Sequence, residues 1–166
     1  MKIKIKTIAL AILAAITFAS CGKQNGENLS PAYSASDAEI WCAPSSVKVL
    51  ATQSKETYAN ERTNGVQLSA AKNEYESAQV IVSAKKDLFF TVEAGELTNV
   101  ADSSKKIGKE NCTVYTQKYI TVTKNWHKNG APTGDYPDAI LPQENAVKFG
   151  VNQVKADRNG GAWLEY

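Results

Sequence analysis

The chain has 166 residues, 43% of them apolar and 22% charged, and its 19 basic and 17 acidic side chains give a formal charge of +2. A balance this even, without clustered Lys and Arg, excludes a nucleic-acid partner, because neutralising several phosphates needs a concentrated basic surface. A single histidine and the lack of any Cys-x-x-Cys argue against zinc, so neither metal nor cofactor is expected.

The N-terminus is a leader. Lys2, Lys4 and Lys6 form a basic start, Thr7 to Ala19 an apolar run, and Phe18-Ala19-Ser20-Cys21 a small-residue approach to a cysteine. As a helix that run would extend about 20 Å, short of the roughly 30 Å hydrocarbon core, so a spanning segment is disfavoured. The layout is that of a bacterial lipoprotein signal, with residues 1–20 removed and Cys21 acylated. Two or more acyl chains give stable anchoring. The expected location is the cell envelope, lipid-anchored at the outer membrane or cell surface of a Gram-negative bacterium. Removing residues 1–20 leaves 16 basic and 17 acidic side chains, a net charge of about −1. Residues 21–38 are rich in Gly, Asn and Ser and read as a flexible tether.

From residue 39 to residue 166 period-2 alternation dominates. Val66, Leu68 and Ala70 share one face of a first segment, and Ala78, Val80, Val82 and Ala84 share one face of the next. Leu88, Phe90, Val92 and Ala94 repeat the pattern. Cys112, Val114, Ile120 and Val122 then oppose Tyr115 and Tyr119. Breakers separate these runs at Asn64-Gly65, from Asn99 to Gly108, and through a Gly/Pro-rich loop from Asn125 to Pro142. No stretch after the leader keeps a 3.6-residue period for three turns. The expected fold is all-β, an antiparallel β-sandwich left incomplete at its C-terminal strand, where Gly161 to Tyr166 end the chain in an apolar segment that would expose an edge.

Two cysteines remain besides Cys21. Cys42 and Cys112 would sit in an oxidising compartment, where they either pair or serve as small core residues. Glu74 and Glu76, two apart on a strand, would place their Cα atoms about 6.8 Å apart, near an inverting glycosidase's carboxyl separation. Same-face acids on a strand are more often a solvated or interface surface. The long loop groups Trp126, His127, Tyr136 and Asp138. Exposed aromatics there could stack on sugar faces while Asp138 or His127 binds hydroxyls. Alternatively, Trp126 and Tyr136 pin the loop to the sandwich, and Asp138 after Pro137 is turn chemistry.

Three motifs, in order, carry a family resemblance. Lys72-Asn73-Glu74-Tyr75-Glu76-Ser77-Ala78-Gln79 resembles the Arg/Lys-Asn-Glu-x-Glu-x-x-Gln strand of the N-terminal domain of glycoside hydrolase family 123. Pro137-Asp138-Ala139-Ile140-Leu141-Pro142 is similar to that domain's Pro-Asp-x-Leu-x-Pro loop. Asn159-Gly160-Gly161-Ala162-Trp163 is similar to its Asn-Gln-x-x-Trp strand entry, with Gly160 in place of Gln. Ile40 to Ser45 also fits the opening of such chains, so the resemblance covers Ile40 to Tyr166.

The resemblance implies a non-catalytic β-sandwich. In that family the hydrolysis of N-acetyl-β-galactosaminides belongs to a following (β/α)₈ barrel with an adjacent Asp-Glu pair. Such a barrel takes about 200 residues or more, and this sequence contains no adjacent Asp-Glu. No catalytic residue carries over, and the expected partner is a C-terminal catalytic domain absent from this sequence. Asn73, Glu74, Gln79 and Pro137-Asp138 are then scaffold residues. Two other readings stand beside this one: a stand-alone glycan-binding lipoprotein using the Trp126 to Asp138 loop, and a structural or interaction domain.

Overall fold

The computed structural model describes residues 33–34, 36–71, 73–125 and 130–166. Ten strands follow in order: β1 (Tyr33–Ser34), β2 (Ala38–Pro44), β3 (Ser77–Ala84), β4 (Leu88–Phe89), β5 (Leu97–Thr98), β6 (Lys106–Ile107), β7 (Thr113–Val122), β8 (Gly134–Pro142), β9 (Gln153–Val154) and β10 (Asn159–Glu165). Among the described residues one α-helix, α1, is Gln143–Lys148, and 3₁₀ turns lie at Lys55–Tyr58 and Lys109–Asn111. The fold is all-β and antiparallel. Its main sheet has the order β1-β2-β3-β10-β7-β8, and β4-β9 and β5-β6 form two-stranded sheets. Among the described residues no helix is long and apolar enough to cross a membrane.

Strand alternation builds a core on each face of this sheet. Ile40 and Cys42 of β2, Val80 and Val82 of β3, and Ala162 and Leu164 of β10 point to one side. There they meet Val66, Leu68, Leu88, Phe90, Val92, Leu97 and Val154. This second layer consists of short ladders and extended segments. The interleaved residues Trp41, Ala43 and Ile81 point to the other side, where Val49 and Tyr58 of the 45–58 segment cover them. Trp41 and Tyr58 stack with ring centroids 5.7 Å apart.

Several expectations are corrected. The C-terminal strand is no edge: β10 pairs with β3 from Asn159 to Glu165 and with β7 from Ala162 to Glu165, so it lies in the middle of the sheet. The segment from Gly134 to Pro142 is strand β8 rather than loop. Its prolines are tolerated because β8 is an edge strand, where a missing N–H costs no ladder bond. A bulge sets Pro137 and Asp138 opposite Tyr119, between the pairs Lys118↔Ala139 and Ile120↔Tyr136. Ile120, expected on the apolar face with Cys112 and Val114, is 41% exposed. Val66 and Leu68 are buried as their alternation requires, yet their segment joins no ladder.

Candidate functional site

Of the residues singled out in the sequence, Cys21, Trp126 and His127 lie outside the described residues, as do residues 1–20 and most of the tether. Tyr136 and Asp138 both lie on β8, on either side of the bulge's kink, and both polar groups are engaged. The Tyr136 hydroxyl donates to the Pro132 carbonyl at 2.6 Å, and Asp138 pairs with Lys48 at 2.5 Å.

Glu74 and Glu76 do not form a carboxylate pair on a strand, since β3 begins only at Ser77. Asn73 adopts φ +64°, a left-handed conformation that Asn tolerates better than most residues. The chain turns there, and Glu74 closes the turn by accepting from the Ala71 N–H at 2.6 Å. Glu76 accepts from the Ser77 N–H, while its backbone exchanges two 3.0 Å bonds with Tyr166.

Cys42 and Cys112 are free thiols. Cys42 stands level with Val80, Ala162 and Thr116 across β3, β10 and β7. Three interstrand steps make about 14 Å, and Cys112, just before β7, lies four residues, about 13 Å, from Thr116. A disulfide requires Cα atoms within about 7 Å, so the possible pairing is corrected. Burial pushes the Cys42 thiol up to about 12 and Cys112 up to about 11.

A cleft of about 260 Å³ lies where the sheet divides. β10 stays on β3 for its whole length, but β7 leaves it beyond Thr116. The cause is visible in the side chains at the fork. Gln117 extends over Gly161, so close that a Cβ there would stand 1.8 Å from Gln117 Oε1. Beyond it the bulge turns the β7-β8 hairpin aside. Gln117, Lys118 and Tyr119 of β7 and Arg158 to Gly160 line it, with Phe90 and Val154 packed on the Gly160 side.

The orientation of Gln117 is fixed by a relay. Gln79 donates through Nε2 to the Pro44 and Val47 carbonyls, both at 2.7 Å, so its Oε1 faces away as an acceptor. Gln117 donates to that oxygen at 2.6 Å, leaving its own Oε1 buried without a partner among the described residues. The Tyr119 hydroxyl is likewise buried and unpartnered. Burial foremost, and the nearby Tyr58 phenol second, hold the Tyr119 phenol well above its usual range, with Arg158 opposing.

Three cations lie at the cleft. Arg158 is paired with Asp135, and Lys155 with Asp87 at 2.8 Å. Lys118 is exposed and has no carboxylate partner among the described residues. No group of three His, Cys, Asp or Glu side chains suited to a metal ion occurs among the described residues.

Sequence reasoning missed this cleft. Its only linear signal is the Gly160-Gly161 pair opening β10, which reads as a loosened strand but does not say which neighbour departs. The chain matches no family model and no curated protein.

Proposed function

We propose that this chain is the non-catalytic β-sheet module of a lipid-anchored envelope protein, similar to the leading domain of glycoside hydrolase family 123, whose work is to support a catalytic body. One observation carries the reading: the residues behind the resemblance are spent on holding strands and turns together. Glu74 closes the Asn73 turn, Gln79 joins β3 to the 44–47 segment and to β7, and Pro137-Asp138 form the β8 bulge. Asn159 donates to the Leu50 and Gln53 carbonyls and accepts from Ser83, so it too has no free polar group.

The engaged hydroxyl of Tyr136 and the Asp138–Lys48 pair weigh against glycan capture by the 126–138 loop. The test uses the full chain. Expressed in a Gram-negative host, it should enter the membrane fraction and take up labelled palmitate, and Cys21→Ala should abolish both. The purified protein should not hydrolyse an aryl N-acetyl-β-galactosaminide. Turnover by this chain alone, or a glycan ligand lost in Trp126→Ala, would overturn the module reading.

A further inference from the structure

We infer that Asn64-Gly65 is a site of spontaneous covalent modification, where asparagine converts to aspartate and isoaspartate and so loosens the segment clamped along the outer edge of β2. The inference does not depend on the module reading. The reacting groups are the Asn64 side-chain amide and the Gly65 backbone nitrogen. Glycine has no side chain to shield that nitrogen or to restrict the rotation that attack requires. Asn64 is exposed in a bend, and neither its amide nor the Gly65 N–H has a hydrogen-bond partner among the described residues. Thr63 Oγ1 donates to the Gly65 carbonyl at 2.7 Å, which leaves both reacting groups uncommitted.

The step balances with water and solvent base alone. The Gly65 nitrogen gives up its proton and attacks Asn64 Cγ. The carbon–nitrogen bond of the side-chain amide breaks, and ammonia leaves. Water then opens the resulting cyclic imide at either carbonyl. One opening gives aspartate. The other gives isoaspartate, whose main chain runs through the side-chain carbon and is longer by one atom.

The same dipeptide within a strand shows what prevents the reaction. Asn159 is buried, its amide nitrogen donates to the Leu50 and Gln53 carbonyls, and its side-chain oxygen accepts from Ser83. Gly160 is held in the β10–β3 ladder opposite Val82. Attack at that pair requires the sheet to open first. At Asn64 no such opening is needed, and the product has a structural consequence. Thr63 exchanges two backbone bonds with Cys42 of β2, at 2.8 and 2.9 Å, and Val66 is buried in the core. Residues 64 and 65 alone span these two anchors, so a longer main chain carrying a new carboxylate strains one or the other.

The test is peptide mapping of the purified full chain held in warm, mildly alkaline buffer and sampled over days. The peptide carrying Asn64 should gain the mass of one deamidation, with isoaspartate identified by an isoaspartyl methyltransferase. In the folded chain Asn159 should convert at least about tenfold more slowly, because its hydrogen bonds must open first, and in urea the two sites should react at similar rates. The aged parent should melt lower than the fresh protein. Asn64→Gln disfavours the cyclic imide at an exposed position, so this variant should fold normally and lose less stability on ageing. The inference is overturned if Asn64 stays intact, if Asn64 and Asn159 convert at equal rates in the folded chain, or if the aged parent and aged Asn64→Gln lose the same stability.

Discussion

Gln79 and Gln117 share a 2.6 Å hydrogen bond although their strands are not neighbours: β10 lies between them, and the bond passes over Gly161. This bond links β3 to β7 across the centre of the sheet, and the two amides do unequal work. Gln79 serves three partners, whereas Gln117 serves one. Gln79→Leu should therefore cost about 3 kcal/mol or more, because it strands the Val47 carbonyl and the Gln117 amide and takes one of two bonds from the Pro44 carbonyl. Gln117→Leu should cost less, about 1–2 kcal/mol, since it strands one acceptor and removes another that was already unpartnered. Urea denaturation of both variants measures the order; equal costs would refute the relay.

Gly161 is needed for its lack of a side chain, not for unusual backbone angles. A Cβ there would stand 1.8 Å from Gln117 Oε1 and 2.8 Å from Cδ. Gly161→Ala should destabilise by about 1–3 kcal/mol, the usual cost of overpacking. In the Gln117→Ala background the same substitution should cost much less, a coupling of about 1 kcal/mol or more that a double-mutant cycle reads directly. Additive costs would mean that Gln117 moves aside freely.

Alternation made the all-β class legible, because burial on a sheet face repeats every second residue. Ala78, Val80 and Val82 are buried as that pattern requires. Pairing was not legible. Gly161 to Tyr166 carry the same apolar pattern whether the strand is central or at an edge, since each strand in the sheet's interior packs both faces while an edge strand can do the same. Pro137 and Pro142 read as loop residues because the edge position that tolerates them is decided by chain-distant partners. The cleft depends on a strand departing from its neighbour: β7 pairs with β10 only as far as Thr116, which no local pattern announces. Asn73, Glu74 and Gln79 were read as scaffold only through the family resemblance; residue type alone left Glu74 open as a catalytic candidate, because the turn at Asn73 that Glu74 closes is set by backbone angles.

The thiols give an alkaline signature. Cys42 and Cys112 are raised from 9.0 to about 12 and about 11, chiefly by burial. A folded-state value above the unfolded one means that stability is full below about pH 9 and falls as pH rises toward the folded values. Tyr58, Tyr119 and Tyr166, also raised by burial, steepen the loss above about pH 10. Cys42→Ala should flatten the curve of stability against pH between about 9 and 12. Intact mass under non-reducing conditions should show no Cys42–Cys112 bridge, and in native buffer Cys42 should resist a maleimide that labels it rapidly in urea. Rapid native labelling of Cys42 would contradict its burial.

The acid limb tests how the second apolar cluster is covered. Lys55 begins the 3₁₀ turn that carries Tyr58 to Trp41, and its ammonium pairs with Glu39 of β2. That hydrogen bond foremost, with the Lys55 and Lys85 charges adding and burial opposing, holds the Glu39 carboxyl below its ordinary 4.5. A lowered folded-state value contributes stability above the unfolded pKa that disappears as pH falls through the folded one. Glu39→Gln should thus cost about 1 kcal/mol at neutral pH, discounted because both side chains are partly exposed, and nothing extra in acid. Its stability curve should run closer to the parent's as pH drops below about 4.5. Asp37, Asp87, Asp102, Asp135 and Glu56 are lowered too, so the parent's acid loss shrinks without vanishing. If Glu39→Gln and the parent keep a constant gap from pH 7 to pH 3, the pair does not clamp this segment. The Tyr58 hydroxyl, which accepts from the Leu50 N–H and donates to Gln53, would then be what holds it over Trp41.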